Sequence, residues 1–169
     1  MIVTEHKLRE IFDSLPEVLL HNSNVKVKPF FSWGDKLALD KYIKGFESNC
    51  YPLIWLLPSE EKENRRDNTI TRKCVFIIAT LETNVELYNA ERYVGSYDNT
   101  LNPLAEYVKK SLDNANNVRL TDPTDITQFK QPNYSDEEDN GTIDLWDAIR
   151  LEMDVEFNSE CFKPITWDV

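Results

Sequence analysis

The stretch KCVFIIATL, residues 73–81, decides the fold of this chain. After its first residue it contains no charge, and most of its side chains are β-branched, aromatic or otherwise apolar. Nine residues are too few for a typical buried helix, whereas a strand that is covered on both faces has this length and composition. The stretch therefore predicts the central strand of a sheet, with other parts of the chain packed on each side of it.

Four other segments predict strands around this centre. YPLIWLL (residues 51–57) is a second apolar run, and we expect it to pair with residues 73–81. Residues 146–157 alternate apolar and polar side chains, which is typical of a strand with one buried face. Residues 118–120 predict a short strand.

The fourth segment, residues 25–31, alternates apolar and basic side chains. It includes Pro29, which has no N–H to donate to a neighbouring strand. The segment therefore predicts an edge strand, with Lys26 and Lys28 facing outward.

Two segments show the spacing of amphipathic helices. The first begins near Thr4, a suitable N-cap, and we expect Pro16 to kink or end it. Its apolar stripe is Leu8, Ile11, Phe12, Leu15 and Leu19. The second opens at Asn99 or Thr100 and ends near Asn114, and its stripe is Leu101, Leu104, Ala105, Val108 and Leu112. A weaker helical or irregular segment covers residues 37–48, and residues 82–97 predict a loop with at most a helical turn.

The order of these elements predicts a single α+β domain over residues 1–169. We expect a single, largely antiparallel sheet, two main helices packed on one face, and a long hairpin arm. The hairpin arm is residues 58–68, which are highly charged and contain no tight-turn motif; a flexible loop is the alternative. Residues 121–140 predict an acidic, flexible loop, and residues 159–169 predict a C-terminal extension.

The charge of the chain limits the classes of partner. There are 19 Lys and Arg residues against 30 Asp and Glu residues, which gives a formal net charge of −11. A protein that holds nucleic acid by its phosphates needs a basic surface, so specific DNA binding is not expected. No apolar run approaches the roughly 18 residues of a membrane-spanning helix, so no membrane association is expected.

Residue types that commonly perform catalysis form no recognisable motif. The two histidines, His6 and His21, lie at opposite ends of the first predicted helix, too far apart to share a metal ion or a proton. The cysteines Cys50, Cys74 and Cys161 are widely spaced, which predicts reduced thiols. The four glycines form no phosphate-binding loop. We therefore expect no enzyme activity, no metal and no cofactor.

Three carboxylates, Glu152, Asp154 and Glu156, should share the polar face of the last strand. Their spacing of roughly 6.5–7 Å overlaps that of glycosidase carboxylates, but plain polar alternation is the commoner explanation. We interpret them as an acidic surface. A ligand cage of tryptophans is another alternative, although Trp55 and Trp146 are expected to belong to the core.

The order of these elements resembles that of the tail terminator, or tail-completion, proteins of long-tailed phages. The resemblance covers about residues 4 to 158. It rests on YPLIWLL (51–57), the charged arm and the return strand RKCVFIIATLE (72–82). The helix TLNPLAEYVKKSL (100–112) and the closing strand DLWDAIRLEMDVEF (144–157) complete it.

The resemblance implies a structural virion protein without cofactor or catalytic residues. Proteins of this family close the growing end of the tail tube as a hexameric ring and then contact head-completion or neck proteins. The expected partners are therefore further copies of the chain, the tail tube protein and the neck proteins. Assembly is expected in the host cytoplasm. DNA is expected to pass through the ring without being bound, and an acidic lumen would favour that passage.

A ring needs heterologous interfaces, in which one patch of a subunit meets a different patch of its neighbour. The hairpin arm and the C-terminal extension are the candidates. The predicted contact residues are Glu60, Glu61, Lys62, Glu63, Arg65 and Arg66 in the hairpin arm and Phe162, Ile165 and Trp167 in the extension. The predicted acidic lumen surface is Glu152, Asp154 and Glu156.

Two other classes of function remain open from the sequence. One is an acidic intracellular inhibitor, such as an immunity-like protein or a nucleic-acid mimic, which would gather its carboxylates into one convex patch. That patch would join the acidic run 136–139 to the carboxylates of the last strand. The other is a small enzyme, for which the sequence contains no assembled site.

Overall fold

The structure, a computed structural model, describes residues 3–20, 24–46, 51–82, 89–132 and 145–158. Its helices are α1 (Thr4–Phe12), α2 (Lys36–Phe46), α3 (Asn89–Arg92) and α4 (Asn102–Asn114), and a π-helical segment (Tyr93–Leu101) joins the last two. Its strands are β1 (Val18–Leu19), β2 (Lys26–Val27), β3 (Phe30–Trp33), β4 (Leu53–Leu56), β5 (Glu61–Asn64), β6 (Thr69–Glu82), β7 (Val118–Leu120), β8 (Thr127–Gln131) and β9 (Leu145–Asn158). The predicted α+β class is confirmed.

Two long antiparallel strands, β6 and β9, form the centre of a seven-stranded sheet. Strands β4 and β5 pair with different halves of β6, on the edge that faces away from β9. Strands β8 and β7 pair in the same way with the far edge of β9. β3 completes the sheet by pairing in parallel with β4, while the other described pairs are antiparallel. The sheet is thus largely antiparallel, as predicted.

The two faces of this sheet bury separate hydrophobic clusters. On the first face, Phe76 and Ile78 of β6 pack with alternate residues of β9 beneath α1 and α4. On the second face, Ile77 packs with Trp55 and with Leu39 of α2. Because side chains alternate along a strand, β6 must be apolar at successive positions to serve both clusters. Fully burying one large apolar side chain contributes roughly 1.5–3 kcal/mol, so residues 74–79 stabilise the fold substantially.

The first helix is shorter than its stripe predicts. α1 ends at Phe12, four residues before Pro16, which cannot donate a helical hydrogen bond and restricts the residue before it. Leu19, predicted to extend the stripe, lies in β1 and is exposed. The predicted N-cap is also wrong, because Val3 occupies that position and the hydroxyl of Thr4 bonds elsewhere.

The second helical region is longer than predicted. Residues 89–92 and 93–101 are helical, so the expected loop is wrong for this part, and α4 continues from the π-helical segment without a cap at Asn99 or Thr100. Tyr97, at the centre of the π-helical segment, is fully buried in the cluster of the first face. Burial of its ring in that cluster explains why these residues are helical. The predicted end at Asn114 is confirmed.

Residues 25–31 do not form one edge strand. Lys26 and Val27 belong to β2, which pairs with β1 in a separate two-stranded sheet that the sequence did not suggest. β3 begins after Pro29 and stands at the end of the strand order, next to β4. The predicted edge position is therefore correct for β3. Lys26 and Lys28 are exposed, as expected.

The predicted acidic loop over 121–140 contains a strand. β8 pairs with the middle of β9, from Thr127 opposite Glu152 to Gln131 opposite Ala148. Its residues are mostly exposed and polar, so their composition resembled a loop, and the pairing depends on backbone hydrogen bonds. The acidic run within residues 133–144 lies outside the described residues.

Candidate interaction surface

The hairpin arm contains an ordered two-stranded hairpin at the edge of the sheet. β5 pairs with the first four residues of β6, from Glu61 opposite Arg72 to Asn64 opposite Thr69. Residues 65–68 close it in a tight turn, so the expectation that no tight turn exists here is wrong. The carbonyl oxygen of the Asn64 side chain accepts the backbone N–H of Arg66 at 3.1 Å, and Asn68 adopts a positive φ of 54°. Asparagine tolerates both roles, which is why no glycine is needed.

The predicted contact residues of the hairpin arm are all exposed. Glu60 precedes β5; Glu61, Lys62 and Glu63 lie in it; and Arg65 and Arg66 occupy the turn. The Arg65 side chain is 88% exposed and pairs with Glu63 at 3.3 Å. Such an exposed pair contributes little to stability and leaves the cation available. Phe162, Ile165 and Trp167 lie outside the described residues.

The base of the hairpin arm is held by a polar cluster around Arg72, whose side chain is 5% exposed. Its guanidinium donates to the Thr4 hydroxyl at 2.7 Å, the Glu5 carboxylate at 2.6 Å and the Glu61 carboxylate at 3.1 Å. Its Nε donates to the hydroxyl of Ser59 at 2.9 Å. We call these five residues the Arg72 cluster.

Thr4 links the two sides of the Arg72 cluster. Its hydroxyl accepts a hydrogen bond from Arg72 and donates one to Glu61 at 2.6 Å. This explains why it does not cap α1. The pKa of Glu5 lies below its usual 4.5: burial acts to raise it, but hydrogen bonds and the charge of Arg72 outweigh that effect.

The Arg72 cluster was not predicted, although the sequence of β6 contains a signal for it. Arg72 is in phase with Cys74 and Phe76, so strand alternation places it on the first, buried face of the sheet. A charged residue in phase with core residues must find partners there. Which partners it finds depends on how α1 crosses β6.

A second missed pair follows the same rule. Asp147 is in phase with Ile149 on β9 and is fully buried. Arg92 of α3 donates to it from Nε at 2.8 Å, and a second contact, from Nη2, measures 2.6 Å. The pair attaches the start of the helical region to the sheet, at the end opposite the hairpin arm.

The predicted acidic surface on β9 is a face of alternating charges. Lys73 of β6 contacts the Glu152 carboxylate at 3.1 Å, and Arg150 donates to it at 2.7 Å. The side-chain hydrogen bond with Lys73 is the main reason that the pKa of Glu152 is lowered, although burial opposes it. A lowered pKa suits a permanently charged surface group and not the proton donor of a glycosidase.

The other two carboxylates of this face differ in their surroundings. Glu156 pairs with Arg119 of β7 at 2.7 Å, whereas Asp154 is exposed. The three carboxylates of this face are therefore accompanied by three cations, Lys73, Arg119 and Arg150. The face is close to neutral and not a strongly acidic patch.

Two open clefts lie near the hairpin arm. One, of about 580 Å³, is lined by Asp67, Asp113, Asn117, Arg119, Glu156 and Asn158, among others. The other, of about 450 Å³, lies beside the Arg72 cluster and includes Val3, Trp33, Gly34 and Pro58. Neither cleft is lined by a histidine or cysteine, so neither assembles a nucleophile with a histidine base from the described residues.

The described cysteine and histidine that could take part in chemistry are packed against other parts of the fold. Burial raises the pKa of the Cys74 thiol to about 12, so it stays protonated at neutral pH. His6 packs edge-on against Trp33, with ring centroids 6.0 Å apart. Across the described ranges, no group of three or more His, Cys, Asp or Glu side chains could hold a metal ion. His21, Cys50 and Cys161 lie outside those ranges.

The three tryptophans within the described residues do not form a cage. Trp55 and Trp146 are buried in the cluster of the second face, as predicted. Trp33 lies at the end of β3, where the guanidinium of Arg9 is 4.4 Å from the centre of its ring. None of the helices within the described ranges is long and apolar enough to cross a membrane. Comparison with protein-family models and with curated proteins found no match to this chain.

Proposed function

We propose that this chain is a non-enzymatic structural protein of a phage virion. In this proposal, copies of it assemble into a ring that caps the tail tube and joins it to the head or neck proteins. The family resemblance of the sequence suggests this role, and the α+β sheet with helices on its first face is compatible with it. DNA passes through the ring without specific contacts.

The observation that supports this proposal best is the hairpin arm. All residues from 61 to 68 are exposed, yet they form an ordered hairpin fixed at its base by a buried arginine. The arm presents the cations Lys62, Arg65 and Arg66, although the chain as a whole has a net charge of −11. Its carboxylates Glu60, Glu61, Glu63 and Asp67 make the arm mixed in charge, and exposed groups of both signs can pair with complementary groups on a second copy of the same chain.

The nucleic-acid mimic receives less support. That function requires a concentrated field of carboxylates, and Glu152 and Glu156 are each paired with a cation from a neighbouring residue or strand. Paired carboxylates have a weaker long-range field than free ones, particularly at physiological salt.

The oligomeric state is the direct test. Native mass spectrometry and negative-stain microscopy should show rings of the purified chain, either alone or when mixed with tail tubes of the same phage. A species that stays monomeric under both conditions would rule the proposal out.

Charge reversal tests the role of the hairpin arm within that assay. The double variant Arg65→Glu/Arg66→Glu should lower the ring fraction at least about tenfold, a loss of roughly 1.4 kcal/mol per contact. Lys26→Glu/Lys28→Glu is the matched control, since it changes the net charge equally at exposed positions on β2 and beside it. Equal behaviour of the two double variants would argue against the arm as the contact.

A further inference from the structure

The Arg72 cluster joins three parts of the chain that are far apart in sequence. Thr4 and Glu5 belong to the first turn of α1, Ser59 to the loop of the hairpin arm that precedes β5, and Glu61 to β5. Arg72 itself lies on β6, directly opposite Glu61 in the strand register. One guanidinium therefore contacts the helix, the loop and the hairpin together.

The two strands of the hairpin are supported differently. Residues 69–72 of β6 pair with β9 on one side, opposite Asn158 to Val155, so the central sheet holds them. β5 pairs with β6 over four residues, and each of its side chains is exposed to some extent. β5 is therefore an edge strand whose described strand partner is β6, and contacts made by its side chains add to the backbone pairing that sets its orientation.

The chemistry of Arg72 suits this task. A guanidinium is planar and presents its donors in a rigid fork, so binding several oxygens fixes their relative positions. Its burial strengthens each hydrogen bond relative to the same bond in water. The two carboxylates, Glu5 and Glu61, exceed the single positive charge, which leaves them dependent on the same guanidinium.

We propose that Arg72 is a positioning residue for the hairpin arm. It ties β5 to the first turn of α1 and thereby presents Lys62, Arg65 and Arg66 at a defined angle to the domain. The inference rests on the proposed function for what the arm contacts, but not for how the arm is held.

Hydrogen exchange measured by mass spectrometry on the full chain, diluted until it is monomeric, tests the positioning directly. Thr4→Val removes the hydroxyl between Arg72 and Glu61 while keeping its shape, and Glu61→Gln removes one charge. Both variants should exchange the amides of residues 61–64 about tenfold faster than wild type, with residues 149–157 unchanged. Glu63→Gln is the matched control, because Glu63 lies on the same strand but contacts the exposed Arg65.

Arg72→Lys is a further test variant. It keeps the charge but replaces the fork by one ammonium group, which cannot reach the same set of oxygens, so residues 61–64 should again exchange faster. The inference is overturned if Thr4→Val and Glu61→Gln leave exchange of residues 61–64 at the wild-type rate. It is equally overturned if protection falls throughout β4 and β9, because the cluster would then support the whole domain.

The ring assay separates this inference from the proposed function. If the variants loosen the hairpin arm while the wild-type chain never forms rings, Arg72 positions the arm but the ring proposal fails. If wild type forms rings and the loosened variants form about tenfold fewer, both stand. If the arm loosens and rings form as before, the angle set by Arg72 does not serve assembly, which overturns that part of the inference.

Discussion

Arg92 and Asp147 form the most deeply buried ion pair in the described part of the chain, with side chains 7% and 0% exposed. Asp147 lies opposite Thr80 in the register of β6 and β9, so a polar patch interrupts the apolar first face at this end. A buried pair contributes little net stability relative to apolar residues, but removing one partner leaves a buried charge without compensation. Its energetic importance is therefore asymmetric.

Asp147→Asn should destabilise the fold by about 3–5 kcal/mol, because the guanidinium of Arg92 stays buried without its counter-charge. Urea unfolding followed by circular dichroism measures this loss. The double variant Arg92→Met/Asp147→Leu should recover most of it. A loss in the double variant as large as that in Asp147→Asn would mean that packing, and not charge, is the cause.

Glu5 gives the stability of the fold a predictable dependence on pH. Its pKa in the folded state lies below the ordinary value of 4.5 despite burial, because Arg72 and hydrogen bonds favour the carboxylate. The folded state then binds a proton less readily than the unfolded state, so Glu5 stabilises the fold above pH 4.5. That contribution is lost as the pH falls below 4.5 through the folded-state pKa.

The stability difference between wild type and Glu5→Gln should therefore be largest near neutral pH and shrink toward pH 3. Urea unfolding at a series of pH values gives this difference directly, and the subtraction cancels groups that titrate alike in both proteins. A difference that is the same at pH 7 and pH 3 would contradict the role assigned to the Glu5 carboxylate.

At the scale of elements, β9 shows how one strand serves two environments. Met153 is 2% exposed and packs on the first face, whereas its neighbour Asp154 is exposed on the second. The register with β6 sets these orientations, with Met153 opposite Cys74 and Asp154 opposite Lys73. A shift of one residue would exchange the two faces.

The same substitution at these two neighbours should therefore have opposite consequences. Met153→Lys should cost about 4 kcal/mol or more or prevent folding, since it buries an unpaired charge. Asp154→Lys should change stability by no more than about 0.5 kcal/mol. Thermal and urea unfolding of the two variants measures this contrast, and similar losses in both would show that the register is wrong.

At the scale of the whole molecule, the net charge of −11 is the dominant long-range property. On the second face, the cations Lys73, Arg119 and Arg150 each contact a carboxylate. With 30 Asp and Glu residues against 19 Lys and Arg residues, a continuous basic surface is not expected. Phosphate binding by counterion release needs such a basic surface.

The chain should therefore bind duplex DNA more weakly than proteins that bind DNA non-specifically, with a Kd above about 10⁻⁴ M at physiological salt. Fluorescence anisotropy with a labelled duplex at about 50 and 150 mM salt measures it, and a basic DNA-binding protein serves as the positive control. Tight binding that weakens steeply with salt would contradict the idea that DNA passes this surface without adhering.

The sequence by itself determined the layers of the fold. Residues 73–81 predicted a strand covered on both faces because no charge interrupts them. Residues 146–157 predicted a strand with one buried face because their side chains alternate; this holds from Ile149 onward, whereas Trp146 and Ala148 are buried on the second face. Both predictions depend on local periodicity, which the chain contains without reference to its neighbours. The hairpin arm was also predicted, because the eleven residues 58–68 between two apolar strands are highly charged.

Only the tertiary structure decided which charges meet. The partners of Arg72 come from residues 4, 5, 59 and 61, and those of β9 come from three other strands. β8 was missed because its pairing uses backbone atoms, which every sequence possesses, and the helical residues 89–101 were missed because burial of Tyr97 outweighs weak local spacing. Distances between elements follow from packing in space, and a linear pattern does not contain them.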